Sequence, residues 1–234
     1  MNHQILNATH PAGIRRHRGF TLVEILTVIA IITILMAAGA IGIGNLNGGK
    51  GVTSAVATCE SLFEEARTIA VSKRCNARVL VDINDKASEN YLRRVVIVYE
   101  KVILNPDGTV ASRSWVQSNR GYEMPKGTYF SGEYSALKSG DKIKEETFGG
   151  TDIKADYHGK YAYYEFNAEG IVEDAGSSFV VGSGVRPKNQ EPKTTKGSAR
   201  DFSGFVVWRN GRTSSFRTPG QIPNLPDSDQ PFNF

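Results

Sequence analysis

An unbroken apolar stretch near the amino terminus is the strongest pattern in this chain. Residues 25–49 contain no charged side chain, and Glu24 is the only charge in residues 20–43. As an α-helix this segment would rise about 36 Å, at roughly 1.5 Å per residue, which is enough to cross the hydrocarbon core of a bilayer. The pattern therefore predicts a membrane-spanning and assembly helix over residues 20–44.

A basic leader precedes this stretch. Arg15, Arg16 and Arg18 lie in the first 19 residues, which contain no acidic side chain. Because positively charged flanks stay on the cytoplasmic side of a membrane, the amino terminus is expected in the cytoplasm. The bulk of the chain is then predicted to lie on the far side.

Glycines are concentrated where the apolar stretch ends. Residues 39–51 hold six of them, and Asn45, Asn47 and Lys50 make the same stretch polar. Each glycine costs a helix about 1 kcal/mol relative to alanine, so the pattern favours a kinked or melted joint over residues 45–51. Close helix packing through small residues is the alternative.

Helical periodicity returns between Val52 and about Asn76. Apolar side chains recur there at alternating spacings of four and three, while most charged side chains fall outside the stripe. This is the pattern of an amphipathic helix that packs on an apolar core. The stripe consists of Val52, Val56, Cys59, Phe63, Ala66 and Ala70.

Alternating and β-branched segments follow, separated by turn residues. The predicted strands are Arg78–Ile83, Leu92–Ile103, Ser114–Gln117, Tyr161–Phe166, Phe179–Val181 and Phe205–Trp208. Turns are predicted at Asn105–Gly108, Asn167–Gly170 and Arg209–Arg212. One helix before many strands predicts an α+β fold, with the amphipathic helix packed on an antiparallel sheet. Residues 182–200 are predicted to form a long loop.

Charge and histidine content narrow the function classes. The chain has 28 Lys and Arg against 24 Asp and Glu, but without the leader arginines the balance is 25 against 24. Overall charge is then no argument for nucleic-acid binding. His158 is the only histidine beyond the leader. A histidine-rich metal site, or a hydrolase that needs two imidazoles, is therefore excluded from the processed chain.

Residues 18–24 read Arg-Gly-Phe-Thr-Leu-Val-Glu directly before the apolar helix. This segment resembles the class III leader of type IV prepilins and type II secretion pseudopilins. The resemblance implies cleavage between Gly19 and Phe20 by a prepilin peptidase and N-methylation of Phe20. It also implies that Glu24 acts in methylation and in docking onto the previous subunit. A lone carboxylate in an apolar helix is costly, so a charge pair with a free α-amine is expected.

The rest of the chain resembles the minor pseudopilin domain of the GspH/FimT type. The resemblance rests on residues 66–71 ahead of residues 78–81, and on turns at 124–130, 166–170 and 210–212. It implies a pilin-like globular head.

The expected organisation is a cleaved leader at residues 1–19, a head at 52–218 and a proline-rich, irregular tail at 219–234. Insertions around residues 84–94 and 132–160 depart from the simplest pattern, and strand pairing is left open there.

The resemblance implies a structural subunit of the bacterial inner membrane, with a periplasmic head, no active site and no cofactor. Its apolar helix would pack with other pilins or pseudopilins in the pseudopilus of a type II secretion system, which drives protein export. A membrane-tethered enzyme that borrowed the leader is one alternative, although no nucleophile motif supports it.

Basic side chains accumulate near the carboxyl end. Residues 186–217 hold eight basic and two acidic side chains. FimT-like pilins of DNA-uptake machines are thought to contact DNA, so Arg209, Arg212 and Arg217 are candidate contacts with DNA or a partner. That assignment would make the chain a minor pilin of a type IV pilus or competence system. A solvated loop, or an acidic neighbouring subunit, accounts for the same charge, and nucleic acid is not the favoured partner.

The remaining chemistry is sparse. On one straight helix Cys59 and Cys75 would lie about 24 Å apart along the axis, too far for a disulfide, so both are expected to be free. Residues 82–85 and 227–229 carry oxygen ligands without the spacing of a calcium loop, and no metal is expected.

Overall fold

The computed structural model describes residues 22–194, 202–223 and 225, with the backbone alone over residues 34–50. The leader predicted at residues 1–19 lies outside this part of the chain.

The chain divides into two compact units, Met1–Gly44 and Asn45–Phe234. Helix α1 runs from Leu22 to Lys73. The backbone is therefore assigned as helix at residues 45–51 as well, and the flexible joint expected there stays a prediction. The second unit is the head, which contains the strands.

The described part of the head contains ten strands in two antiparallel sheets. One sheet has the order β3-β2-β1-β7-β6, with β4 also paired to β2, and the other has the order β10-β9-β8-β5. The predicted α+β class, with a helix packed on antiparallel strands, is confirmed. The strands are β1 (Ala77–Asp82), β2 (Arg94–Leu104), β3 (Val110–Gln117), β4 (Tyr122–Glu123), β5 (Thr128–Phe130), β6 (Glu145–Phe148), β7 (Gly159–Phe166), β8 (Ser177–Ser183), β9 (Phe202–Val207) and β10 (Thr213–Ser215).

The sequence-predicted helical stripe forms the centre of the head. All its members are buried, and Phe63 is fully so. The ring of Phe63 meets Tyr164 and Phe166 of β7 at 5.0 and 6.1 Å between centroids. It also meets Phe179 of β8 at 5.4 Å and Phe205 of β9 at 5.0 Å. One aromatic side chain of α1 thus joins both sheets, because edge-to-face ring pairs form at these distances.

Strand β1 is buried on both faces. Val79 and Val81 belong to the core shared with α1, whereas Leu80 belongs to a second apolar cluster on the opposite face of the sheet. Successive side chains of a strand point to opposite faces, so a run of apolar residues needs cover on each side. Here Ile153 supplies part of the second cover, and it comes from the insertion at 132–160.

Next to the second apolar cluster lies a group of charged and aromatic side chains around Arg78. Its guanidinium forms ion pairs with Glu146 at 2.6 Å and Glu165 at 2.7 Å. It also lies over the rings of Trp115, at 4.3 Å, and Tyr163, at 4.1 Å. Burial raises the pKa of Glu165, and the nearby guanidinium opposes that rise. The insertion therefore adds β6, and with it Glu146, to the sheet edge.

The head has two ends that are defined by α1. At the entry end α1 becomes buried from Val52 onward, and a Cβ placed on Gly51 would lie 3.1 Å from Thr128. At the far end α1 stops at Lys73, where Arg74 adopts a φ of 53° and the Cys75 N–H donates to the Ala70 carbonyl. A left-handed residue followed by such a bond is a common helix termination.

The structure differs from the sequence prediction mainly at short strands. Strands β4, β6 and β10 were not predicted, and β5 lies inside a segment predicted as a turn. The described part of the loop at 182–200 holds a small bridge between Val185 and Lys193, while residues 195–201 lie outside the described residues. In the tail a 3-10 helix at Pro219–Gln221 is followed by Ile222, which is buried.

Candidate functional site

The amino-terminal turns of α1 expose an apolar surface. The large apolar side chains from Leu22 to Ile32 are 47–76% exposed within the described chain. The hydroxyl groups of Thr27 and Thr33 donate to the carbonyls of Val23 and Ala30, so the helix itself satisfies them. A helical surface of this kind is stable only against lipid or other apolar helices.

Glu24 lies in the first turn of α1 and is exposed. It is the acidic side chain of an otherwise apolar segment, as the sequence indicates. Its role in methylation and docking stays a prediction. Gly19, Phe20 and the leader arginines lie outside the described residues. The span predicted over residues 20–44 also lies largely outside the described side chains. Where side chains are described, no helical stretch combines the length and apolar character that a membrane crossing requires.

The basic residues near the carboxyl end are brought only partly together. Arg209 and Arg212 occupy the turn between β9 and β10, at the far end of the head, and both are exposed. Arg217 is also exposed but follows β10, where its N–H donates to the side-chain oxygen of Gln221 at 2.7 Å. The structure thus places two of the three predicted arginines on one turn.

Trp208 is a surface residue that the sequence analysis missed. It is 51% exposed beside Arg209, and its ring N–H donates to the Ser214 hydroxyl at 2.9 Å. The adjacent Trp-Arg pair in the sequence was the available signal. An exposed aromatic ring next in sequence to an exposed arginine can stack on a base or cover an apolar side chain of a partner.

The turn between β9 and β10 carries Arg209 and Arg212 and is called the basic turn here. It packs against Arg67 of α1. A Cβ on Gly211 would lie 2.5 Å from Cδ of Arg67 and 2.6 Å from the carbonyl oxygen of Gly170. A Cβ on Gly170 would lie 2.8 Å from Val71 and 3.2 Å from Arg67. Both glycines have a φ of 75°. The short motifs behind the family resemblance, in the helix and in two turns, are therefore one packed unit.

The cysteines do not form a disulfide. Cys59 is buried among the core side chains and Cys75 follows the end of α1, and both thiols are free. This confirms that they do not bridge each other. Burial strongly raises the pKa of the Cys59 thiol, so this thiol is poorly suited to act as a nucleophile.

His158 is bonded within its own loop. Its Nε2 atom lies 3.1 and 2.9 Å from the carbonyl oxygens of Gly150 and Ile153.

The segment at residues 82–85 begins at the end of β1 and continues into a bend. The Asp82 carboxylate accepts the N–H of Asn84 at 3.0 Å, and burial raises the pKa of Asp82. In the part of the chain that the structure describes, no three His, Cys, Asp or Glu side chains cluster as a metal site would require. Residues 227–229 lie outside that part.

Comparison with known families identifies the amino terminus. Residues 14–40 match the family described as the prokaryotic N-terminal methylation motif. The chain therefore carries a methylation motif of prepilin type, as the resemblance of residues 18–24 predicts. No curated protein matches the chain.

Solved structures with similar chains include two proteins of related systems. The type IV minor pilin FimU of Pseudomonas aeruginosa strain PAO1 shares 14% identity with a TM-score of 0.40, covering 77% of this chain and 98% of its own. The minor pseudopilin EpsH from the type II secretion system of Vibrio cholerae shares 10% identity with a TM-score of 0.39, covering 72% of this chain and 95% of its own.

Proposed function

We propose that this chain is a minor pseudopilin of a type II secretion system. A prepilin peptidase would cleave it between Gly19 and Phe20 and methylate Phe20. The processed chain would then leave the inner membrane and enter the periplasmic pseudopilus. The observation that carries the proposal is the methylation motif over residues 14–40, which includes most of the apolar stretch at residues 20–43.

The exposed apolar side chains of Leu22 to Ile32 support assembly through this helix. They need an apolar environment both before and after processing. A bilayer supplies it first, and the helices of other pilins or pseudopilins supply it in the filament. The head would then be carried on the filament surface.

Glu24 gives this assembly a register. A carboxylate in an apolar helix is stable when a cation is close, and cleavage after Gly19 creates a free α-amine on a neighbouring chain. Pairing the two charges would place successive subunits at one spacing, because a shifted helix would leave the carboxylate unpaired.

The Glu24→Ala variant tests this register. We expect cleavage of the leader by prepilin peptidase, read as the mass of the mature chain, with impaired incorporation into pilin-like filaments. Ile29→Ala is the matched control, since it removes apolar contact without a charge and should assemble nearly normally. Normal assembly of Glu24→Ala would contradict the charge-pair mechanism.

Deletion of the gene tests the choice of system. We expect a defined set of exported proteins to disappear from the extracellular proteome and to return with the wild-type gene. An unchanged extracellular proteome would contradict the secretion assignment and favour a type IV pilus or competence system.

A nucleic-acid-handling minor pilin is the second candidate, and the exposed turn with Trp208, Arg209 and Arg212 favours it. In that case the full-length protein in neutral detergent should bind DNA in a salt-sensitive manner. Changing Arg209 and Arg212 to Gln should weaken binding uniformly across sequences and reduce its salt dependence. Salt-sensitive binding that survives this double substitution would exclude the turn as the contact.

A further inference from the structure

A small pocket at the entry end of the head gathers three cationic side chains. Its volume is about 160 Å³, and Glu89, Arg93, Lys126, Tyr129 and Arg186 line it. Three positive groups face a single acidic one. Neither the secretion function nor the DNA-binding alternative accounts for this group.

Arg93 is the buried member, with 8% of its surface exposed. Its guanidinium donates to the carbonyl oxygens of Glu89 at 2.9 Å and Met124 at 2.5 Å. Among the described residues, its buried Nε–H has no hydrogen-bond acceptor. Among the ion pairs within the described residues, none includes Arg93. A guanidinium taken out of water without a carboxylate is a costly arrangement unless an anion completes it.

The other two cations face the same space. The Arg186 guanidinium lies over the ring of Tyr91 at 6.0 Å, and its Nη1 donates to the Tyr91 carbonyl oxygen at 3.5 Å. Lys126 is exposed on the turn before β5. In the described chain neither of them has an ion pair. Their charge therefore remains available to a ligand, while Glu89 offsets only part of it.

The position of the pocket indicates where a ligand would come from. Lys126 belongs to the turn at residues 125–128, which packs beside Gly51, where α1 enters the head. The chain before this point includes the uncharged stretch at residues 25–49. If residues 20–44 span the membrane, as the proposed function holds, the turn that carries Lys126 packs on the part of α1 that follows the span.

We propose that this pocket binds a phosphate group, supplied by the headgroup of an anionic phospholipid. Arginine presents planar N–H groups that match phosphate oxygens, and lysine adds a point charge. Basic pockets next to a membrane anchor bind anionic headgroups in this way. The lipid would hold the head against the bilayer until the subunit is extracted into a filament, so this inference rests on the proposed membrane anchorage.

The test uses the full-length chain in a neutral detergent, with bound lipid counted by native mass spectrometry. Phosphatidylglycerol is the probe, and phosphatidylcholine is the zwitterionic comparison. The variant carries Lys126→Gln and Arg186→Gln together, because Arg93 supports the backbone and its removal could unfold the head. The matched control carries Arg120→Gln and Lys154→Gln, one exposed arginine and one exposed lysine outside the pocket. A parallel titration with inorganic phosphate, followed by calorimetry, tests a soluble source.

We expect the Lys126→Gln, Arg186→Gln variant to bind phosphatidylglycerol about tenfold more weakly than the wild type, with no change in the control variant. A loss confined to inorganic phosphate would keep the phosphate site and overturn its assignment to lipid. If the variant binds phosphatidylglycerol and inorganic phosphate as tightly as the wild type does, the proposed site is wrong. Equal binding together with failed assembly of the variant would indicate an acidic protein partner instead.

The same experiment separates this inference from the proposed function. Lipid binding is measured on the anchored chain whether or not the leader has been cleaved. A failure of lipid binding therefore leaves the processing and secretion tests intact. Conversely, a chain that is never cleaved or assembled can still be scored for binding in the pocket.

Discussion

Substituting Gly211 should reveal how tightly the basic turn is held against α1. Gly211 adopts a φ of 75°, and an added Cβ would lie 2.5 Å from Cδ of Arg67 and 2.6 Å from the carbonyl oxygen of Gly170. The arginine end can move, but the carbonyl belongs to the backbone of the neighbouring turn. Gly211→Ala therefore forces the two turns apart.

The expected magnitude has two parts. A left-handed conformation costs a residue with a Cβ about 1–2 kcal/mol relative to glycine. Overpacking against a backbone atom adds about 1–3 kcal/mol. Gly211→Ala should therefore lower the free energy of unfolding by about 2–5 kcal/mol. Gly108→Ala is the matched control, because Gly108 has a φ of 84° with nothing within 4 Å of an added Cβ. It should show only the conformational part.

The assay is urea unfolding of the full-length chain in neutral detergent, followed by tryptophan fluorescence. Both substitutions also restrict the unfolded chain to the same degree, so that effect cancels in the comparison. Adding Arg67→Ala to Gly211→Ala should recover part of the loss, but not the part caused by the Gly170 carbonyl. Equal losses for Gly211→Ala and Gly108→Ala would refute the close packing of the turn.

The remaining predictions concern the core, the thiols and the outer face. Phe63→Ala should lower the free energy of unfolding by about 3–5 kcal/mol in the same assay, because one ring joins both sheets; a loss under 1 kcal/mol would contradict that role. A maleimide should label Cys75 in the native chain and reach Cys59 only after unfolding, because Cys59 is buried and the pKa of its thiol is raised. Peptide mass analysis would identify the labelled site. Rapid labelling of Cys59 in the native chain would contradict the fold. Burial raises the pKa of Glu165 above 4.5, so its favourable contribution is present at lower pH and is lost as pH rises through the folded-state value. The free energy of unfolding should therefore fall more steeply between pH 4.5 and neutrality in the wild type than in Glu165→Gln, and parallel curves would contradict this assignment.

The elements with a strong local pattern could be predicted from the sequence. The stripe from Val52 to Ala70 has helical spacing, and each predicted member is buried. The apolar run of β2 was equally clear, because residues 95–98 are β-branched and buried on both faces. In such segments the spacing of apolar side chains along the sequence matches the positions that are buried, so the local pattern alone is sufficient to predict the element.

The short edge strands could not be predicted in this way. Strand β6 consists of Glu145–Phe148 and only Phe148 is buried; strand β10 is Thr-Ser-Ser. Strand β6 pairs with the next strand, β7, and β10 pairs with β9 across a hairpin, but neither short strand has a local apolar pattern that would mark it. The same holds for Gly204, where an added Cβ would lie 2.1 Å from the carbonyl oxygen of Phe179. Only the paired strands show why that position requires glycine.

The candidate sites also divide into residues that a local sequence pattern predicts and residues that only the fold brings together. The methylation motif is contiguous, so residues 18–24 were enough to predict it, and the family match confirms it. Arg93, Lys126 and Arg186 are separated by long stretches of chain and meet only when β2, the turn before β5 and the loop after β8 fold together. Their meeting also explains why a count of basic residues near the carboxyl end did not distinguish Arg186 from Arg209.

The two groups of cations lie at opposite ends of the head and differ in burial, so they should act independently. Arg209 and Arg212 are exposed on the turn beside the end of α1, whereas Arg93 is buried near the point where α1 enters. Exposed arginines at the far end suit a contact with a soluble partner, and a pocket with one buried cation at the entry end suits a small anionic ligand. Because the two groups share no partner in the described chain, neutralising one should leave the binding function of the other unchanged. Coupled losses of DNA and lipid binding in either variant would mean that one electrostatic field serves both, and the division into two sites would then be wrong.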